Sequence, residues 1–239
     1  MIEISKIHKQ IGVLIDPDKI ALSDIADLVT LINSASPDYI LLGGSTMNGS
    51  IEPIAFEIKK FTDIPLLLFP GNSNQVTPAA DGILLLSLIS GRNADFLIGQ
   101  HVNAAQKIIQ SGLEVIPTGY ILVDGGRQSA TQRVSKTTPI PQDDVNTIVN
   151  TALAGQLLGL KTIYLEAGSG AKNPVNQTII QEVKHALDIP LIVGGGICSV
   201  EQLAMACDAG ADMVVVGNHF ESAPQDMIEF CRYVHSFNQ

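Results

Sequence analysis

Eight short apolar runs recur along the chain, set off by turns rich in Gly, Ser, Asp and Asn. They are residues 11–15, 39–42, 65–69, 83–86, 115–123, 162–165, 190–193 and 213–216. Each is continuously apolar rather than alternating, as in parallel strands buried on both faces. Between them lie stretches with apolar residues at helical spacing. Residues 23–34 open on Ser23, a good cap residue, and place Ile25, Leu28, Val29 and Ile32 on one stripe. Residues 100–111, 143–158, 178–187, 199–209 and 224–237 follow the same pattern. Strand–helix alternation repeated eight times predicts a (β/α)8 TIM barrel, with residues 1–239 as a single domain. A doubly wound open sheet is the alternative. No linker or low-complexity tract divides the chain, and residues 137–141 (TTPIP) read as a long loop after the fifth strand.

A weak repeat is compatible with two fused half-barrels. Asp63-Ile-Pro-Leu-Leu-Leu68 resembles Asp188-Ile-Pro-Leu-Ile-Val193, and Gly44-Ser45 echoes Gly168-Ser169 at about the same separation. Chance similarity of such short strings is the other explanation.

Composition narrows the function classes. Of 239 residues 46% are hydrophobic and 16% are charged, which excludes intrinsic disorder. Fourteen Lys and Arg against 24 Asp and Glu give a net charge of -10. That disfavours sequence-independent nucleic-acid binding, which needs a basic face. The mean hydropathy of +0.27 is high for a chain without a spanning segment. The first ten residues carry Glu3, Lys6 and Lys9, so no signal-peptide core is expected there. No run approaches the roughly 20 apolar residues of a membrane helix. Cys198, Cys207 and Cys231 have no metal-type spacing and read as inert thiols of a reducing cytoplasm.

In a barrel the chemistry sits where strands end and βα loops begin. Those positions carry Asp16-Pro17-Asp18-Lys19, Gly43-Gly44-Ser45-Thr46, Pro70-Gly71-Asn72, Asp124-Gly125-Gly126-Arg127, Glu166-Ala167-Gly168-Ser169-Gly170, Gly194-Gly195-Gly196-Ile197 and Gly217-Asn218. Glycines after the last two strands suit a phosphate cradle, with Gly195, Gly196, Gly217 and Asn218 offering N–H groups. Tight-turn closure is the bland alternative. Asp16, facing Ser45, suits the sparse shell of a hard cation such as Mg2+, or it caps its own turn. Glu166 ends an otherwise apolar strand. It reads as a general base or a grip on a substrate hydroxyl, with a pKa raised by burial, or as a buried Glu paired with Lys or Arg. Tyr164 is expected on the opposite side of the strand, reaching the site only through a bulge. His101 and His219 lie near the mouth, but the five histidines form no metal set.

The ordered set Ile15-Asp16-Pro17-Asp18-Lys19, Gly43-Gly44-Ser45, Tyr164-Leu165-Glu166-Ala167-Gly168-Ser169-Gly170, Gly194-Gly195-Gly196-Ile197 and Val216-Gly217-Asn218 resembles the geranylgeranylglyceryl phosphate synthase family, which includes bacterial heptaprenylglyceryl phosphate synthases. Residues 90–101 (SGRNADFLIGQH) look like that family's fourth-strand loop. The resemblance implies a TIM barrel modified in one helix. It implies a cytoplasmic, Mg2+-dependent prenyltransferase joining the 3-hydroxyl of sn-glycerol 1-phosphate to a long polyprenyl diphosphate, geranylgeranyl first among them. It implies that Asp16 and Ser45 serve Mg2+ and the diphosphate. Tyr164, Leu165, Glu166, Ala167, Gly168, Ser169 and Gly170 would hold the glycerol phosphate, with Glu166 as base. Gly195, Gly196, Gly217 and Asn218 would hold its phosphate. Self-association through outer helices is a further implication. Leu14 stands where one branch of the family has a lysine, leaving Lys19 and Arg127 as unranked replacement cations.

The prenyl tail needs an apolar groove, for which Leu66, Leu68, Leu84 and Leu86 are candidates, unless they simply fill the barrel. Competing functions are a phosphate-binding barrel of another small-molecule pathway and a non-catalytic prenyl-phosphate binder.

Overall fold

The structure is a computed structural model and describes residues 2–45, 47 and 49–238. Thr46, at the end of the second-strand motif, lies outside the described residues. Eight parallel strands close into a barrel in chain order: β1 Gln10–Ile15, β2 Tyr39–Leu42, β3 Leu66–Leu68, β4 Gly82–Leu88, β5 Glu114–Leu122, β6 Thr162–Glu166, β7 Leu191–Gly194 and β8 Met213–Val216. The pairing of β1 with β8 closes the sheet, so the open-sheet alternative does not hold. The two Asp-Ile-Pro strings lead into β3 and β7, which stand four strands apart.

The helices are α1 Ile25–Ala35, α2 Glu52–Lys59, α3 Gln100–Ser111, α4 Ala130–Ser135, α5 Val145–Leu157, α6 Gln177–Ala186, α7 Val200–Asp208, α8 Asn218–Ser222 and α9 Asp226–Ser236. Four of them start on a capping side chain that accepts a backbone N–H. Ser129 accepts from Gln132, Asp144 from Thr147, Asn176 from Ile179 and Ser199 from Gln202. Ser23, expected to cap the first helix, instead bonds Asp24, and α1 begins two residues later.

Two features depart from a regular barrel. The β3–β4 connection, residues 69–81, contains no helix. Its Pro70, Gly71, Asn72 and Pro78 break helical propagation, and Asn72 Oδ1 takes the Asn74 N–H in a side-chain turn. The β5–α5 connection, expected to be plain loop, contains α4.

Alternation along the strands splits the core in two. Tyr39, Leu41, Leu67, Leu84, Leu88, Tyr120, Leu122, Tyr164, Ile192 and Val215 fill the barrel interior. Ile40, Leu42, Leu66, Leu68, Ile163, Leu165 and Val193 face outward against the helices. Ile2 and Ile4 pack at the strand N-termini with this inner set. Functional groups are therefore confined to the opposite end, where the strands terminate.

Candidate active site

Glu166, the last residue of β6, lies in the floor of a cavity of about 180 Å3 at that end of the barrel. Only 7% of the residue is exposed. Its Oε1 accepts the Gly168 N–H at 2.7 Å, and the hydroxyls of Tyr164 and Tyr120 act on the same carboxyl and favour its ionised form. Burial pushes its pKa up to about 7, against the opposing pull of those three donors. Its partners are donors of hydrogen bonds, not a Lys or Arg, so the ion-pair alternative is set aside. Burial and the adjacent carboxylate hold both phenols well above their usual range, so they remain protonated donors.

Tyr164 corrects the expectation of an opposite side. It precedes Glu166 by two residues, and a period of two puts both side chains on the inner face. It is 1% exposed. Its ring packs 5.2 Å from Tyr120 and 5.3 Å from Phe69. Neither Tyr120 nor Phe69 was a candidate from sequence. Tyr120 sits in the middle of a long apolar run, and the only available signal was its inward phase on β5.

The glycines of the seventh-strand loop have a second task besides any phosphate. A Cβ on Gly194 would lie 2.1 Å from Tyr164 Oη, and one on Gly195 would lie 2.4 Å from Glu166 Oε1. Gly195 and Gly196 also have φ of +85° and +74°. The cavity wall is completed by Ser169 and Gly170 after β6, Gly217 and Asn218 after β8, and Asp16 and Ser45 after β1 and β2. Ser169 Oγ donates to Asn218 Oδ1 at 2.7 Å, joining two loops at the rim.

Three members of the predicted glycerol-phosphate set are not on this wall. Leu165 and Ala167 belong to the outer core and face the helices. Gly168 lies behind Glu166, its N–H already committed to the carboxylate.

Asp16 does cap its own turn, accepting the Asp18 N–H at 3.1 Å, while Oδ2 lies 3.6 Å from Lys19 Nζ. Lys19 is held mainly by Glu221 at 2.7 Å. Arg127 reaches over Gly170, with Nη1 3.6 Å from that residue's Cβ position. His219 is bonded to Asp226 at 2.8 Å. Cys207 and Cys231 are buried thiols pushed up to about 12.

A second cavity, about 90 Å3 and mostly apolar, continues from the first. Gly44, Ser45, Phe69, Tyr120 and Thr131 line both. It lies between the helix-free β3–β4 connection (Val76) and α3 (Ala104, Ile108), with Ile83, Leu85 and Leu88 of β4. Missing helical cover over β3 and β4 is what leaves this space. Of the four leucines expected in a groove, Leu86 lines it. Leu66 and Leu68 are packed in the outer core and Leu84 fills the barrel interior. His101 also lines it, its Nε2 fixed 2.9 Å from the Leu86 carbonyl oxygen.

The profile of the PcrB family matches residues 5–234. The chain belongs to the PcrB family. It is 52% identical over 224 residues to the geranylgeranylglyceryl phosphate synthase of Zunongwangia profunda, covering 93% of this chain and 95% of that one. It is 45% identical to the enzyme of the same name from Chitinophaga pinensis, covering 95% and 91%. Among solved structures it resembles (S)-3-O-geranylgeranylglyceryl phosphate synthase from Thermoplasma acidophilum, crystallised with its substrate sn-glycerol-1-phosphate. There the TM-score is 0.89 and the identity 34%, with 96% of this chain and 92% of that chain covered. The barrel expected from sequence is the fold of this PcrB family member. Among the described residues no helix is long and apolar enough to cross a membrane.

Proposed function

We propose that this PcrB family member is a prenyltransferase that joins the 3-hydroxyl of sn-glycerol 1-phosphate to a long polyprenyl diphosphate. Diphosphate is released and an ether bond forms. The observation that carries this reading is the junction of two cavities at Ser45, Phe69, Tyr120 and Thr131. The larger, about 180 Å3, has the more polar wall and is floored by a carboxylate of raised pKa; the smaller, about 90 Å3, is mostly apolar. A hydrophilic alcohol and a hydrophobic allylic donor would meet there.

Glu166 takes the hydroxyl proton as the alcohol oxygen attacks the prenyl C1 and the C1–O bond to diphosphate breaks. A base with a pKa near the working pH suits that task. Ser169, Gly170, Gly195, Gly196, Gly217 and Asn218 orient the glycerol phosphate, and Arg127, whose Nη1 lies 3.6 Å from the Gly170 Cβ position, supplies a cation at its end of the site, Lys19 being already paired with Glu221. Phe69, Leu86, Leu88 and Ile108 enclose the prenyl chain and exclude water from the reacting carbon.

Asp16 and Ser45 would hold Mg2+. Among the described residues no group of three or more His, Cys, Asp or Glu could hold a metal ion by itself. One carboxylate and one hydroxyl on the same wall do fit a cation whose shell is completed by substrate phosphates and water. The chemistry such an ion supplies is neutralisation of the leaving diphosphate's charge. Homo-oligomerisation and a cytoplasmic site of action accord with the family resemblance and remain part of the proposal.

The test is incubation with sn-glycerol 1-phosphate and a labelled prenyl diphosphate series, with and without Mg2+. A Mg2+-dependent ether product with long prenyl donors is expected. Absence of product at every chain length would overturn the reading.

A further inference from the structure

Four oxygen-bearing side chains from four separate elements line the same cavity at the floor of the site. Glu166 ends β6, Tyr120 lies in β5, Thr131 is in α4 and Ser45 follows β2. The Glu166 carboxyl and the Thr131 hydroxyl both act on the Tyr120 hydroxyl, the first raising and the second lowering its pKa. Thr131 Oγ1 lies 3.2 Å from Ser45 Oγ. Tyr120 is 6% exposed. Its ring is clamped between Phe69 at 6.1 Å and Tyr164 at 5.2 Å, so its hydroxyl has little freedom to point elsewhere.

We propose that Tyr120 and Thr131 are positioning residues that tie the base to the diphosphate end of the site through the chain Glu166–Tyr120–Thr131–Ser45. This rests on the roles given above to Glu166 and Ser45. Tyr120 aims the carboxylate and holds its ionised form. Thr131, by donating to the same phenol oxygen, strengthens Tyr120 as a donor, since bonds in such a chain polarise one another. Ser45 fixes the far end. The two substrates would then be read by one connected set of hydroxyls.

The groups acting directly on Glu166 are Tyr164 on its own strand, Tyr120 on β5 and the Gly168 N–H. The titratable groups facing the same cavity from other elements are Asp16 and Asp18 after β1, Cys198 after β7, and His219 and Glu221 of α8. Each is untouched by the substitutions below.

The test combines kinetics with 13C-NMR titration of the Glu166 side-chain carboxyl in the intact protein. Tyr120→Phe keeps the ring and its packing and removes only the hydroxyl. It should lower kcat about tenfold, as expected for loss of a hydrogen bond to a charged group. The KM for glycerol phosphate should stay within about twofold, and the carboxyl titration should move up by about one unit. Thr131→Val should move it the same way by less, and add nothing in the Tyr120→Phe background. Thr131→Ser should restore the original value. Ser45→Ala should shift the carboxyl titration when Thr131 is present and leave it in place in Thr131→Val.

An unmoved titration in Tyr120→Phe, or strictly additive effects of Tyr120→Phe and Thr131→Val, overturns the proposal. So does a Ser45→Ala shift that survives in Thr131→Val. Because the NMR arm needs no turnover, a wild-type protein that forms no ether but shows these shifts would refute the prenyltransferase reading alone. Activity without the shifts would refute the hydroxyl chain alone.

Discussion

Tyr164 Oη occupies the place where a side chain on Gly194 would begin, 2.1 Å from that residue's Cβ position. The contact joins neighbouring strands β6 and β7 inside the barrel, with Tyr164 in register with Ile192. A tyrosine so enclosed cannot swing away, because Phe69 and Tyr120 hold its ring from the other side. Gly194→Ala is therefore an overpacking change at the root of the site. The expected cost is about 1–3 kcal/mol of stability. Turnover should also fall, because Tyr164 can no longer reach Glu166. Thermal unfolding and steady-state rates measure both, and a variant with unchanged Tm and kcat would contradict the packing described.

Glu166 must be ionised to accept a proton, and its pKa stands at about 7. The rate should therefore rise with pH through about 7 and level off above it, where the carboxylate form dominates. Removing the base by Glu166→Gln should lower kcat by a factor of about 10²–10⁴. The amide oxygen can still accept the Gly168 N–H, so glycerol-phosphate binding measured by calorimetry should be largely kept. A Gln variant with near-normal kcat would remove Glu166 from the role of base.

The same carboxyl makes stability depend on pH. Its folded pKa of about 7 exceeds the ordinary value of 4.5, so folding favours the protonated form. That contribution is complete below about 4.5 and is lost as pH rises through about 7. Above that, wild type buries a carboxylate at a cost on the order of 3 kcal/mol, which Glu166→Gln avoids. The variant should melt at higher temperature than wild type at pH 8, with the difference vanishing towards pH 4.5. Equal melting temperatures across that range would show that the carboxylate is well solvated.

Several features of the fold were legible because they follow from simple periods. Continuous apolar runs mark eight strands, and a serine that opens an apolar-periodic stretch marks a helix start, as at Ser199, whose hydroxyl accepts the Gln202 N–H. The strand ends then located Asp16, Ser45, Glu166, Asn218 and the glycines on one cavity wall. What stayed hidden depends on contacts distant in sequence. Tyr120 looks like any inward barrel residue until β5 and β6 are paired in register opposite Tyr164. Leu165 and Ala167 share a motif with Glu166, but motif proximity does not override strand alternation, which turns Leu165 outward. The short helix α4 has too few residues to show a period. The apolar cavity lies beside the helix-free connection between β3 and β4, and the sequence alone does not show which strand face that connection leaves uncovered, so Leu66, Leu68 and Leu84 are as eligible there as Leu86.

Ala104 is one of the residues that line that cavity. It lies on the buried face of α3, 4% exposed, and lines the cavity together with Val76 of the helix-free segment. The space is only about 90 Å3, so a phenyl ring introduced there would occupy much of it while leaving Glu166 and the glycine loops untouched. Ala104→Phe should reduce kcat/KM for long prenyl diphosphates far more than for a five- or ten-carbon donor. Affinity for glycerol phosphate should be unchanged, because its wall is formed by β6, β7 and β8 loops. Ala104→Leu, a smaller insertion with less overpacking, should give the same trend at lower amplitude. Product analysis over a donor series reads the effect. Unaltered chain-length preference in both variants would mean that the prenyl chain lies elsewhere on the barrel.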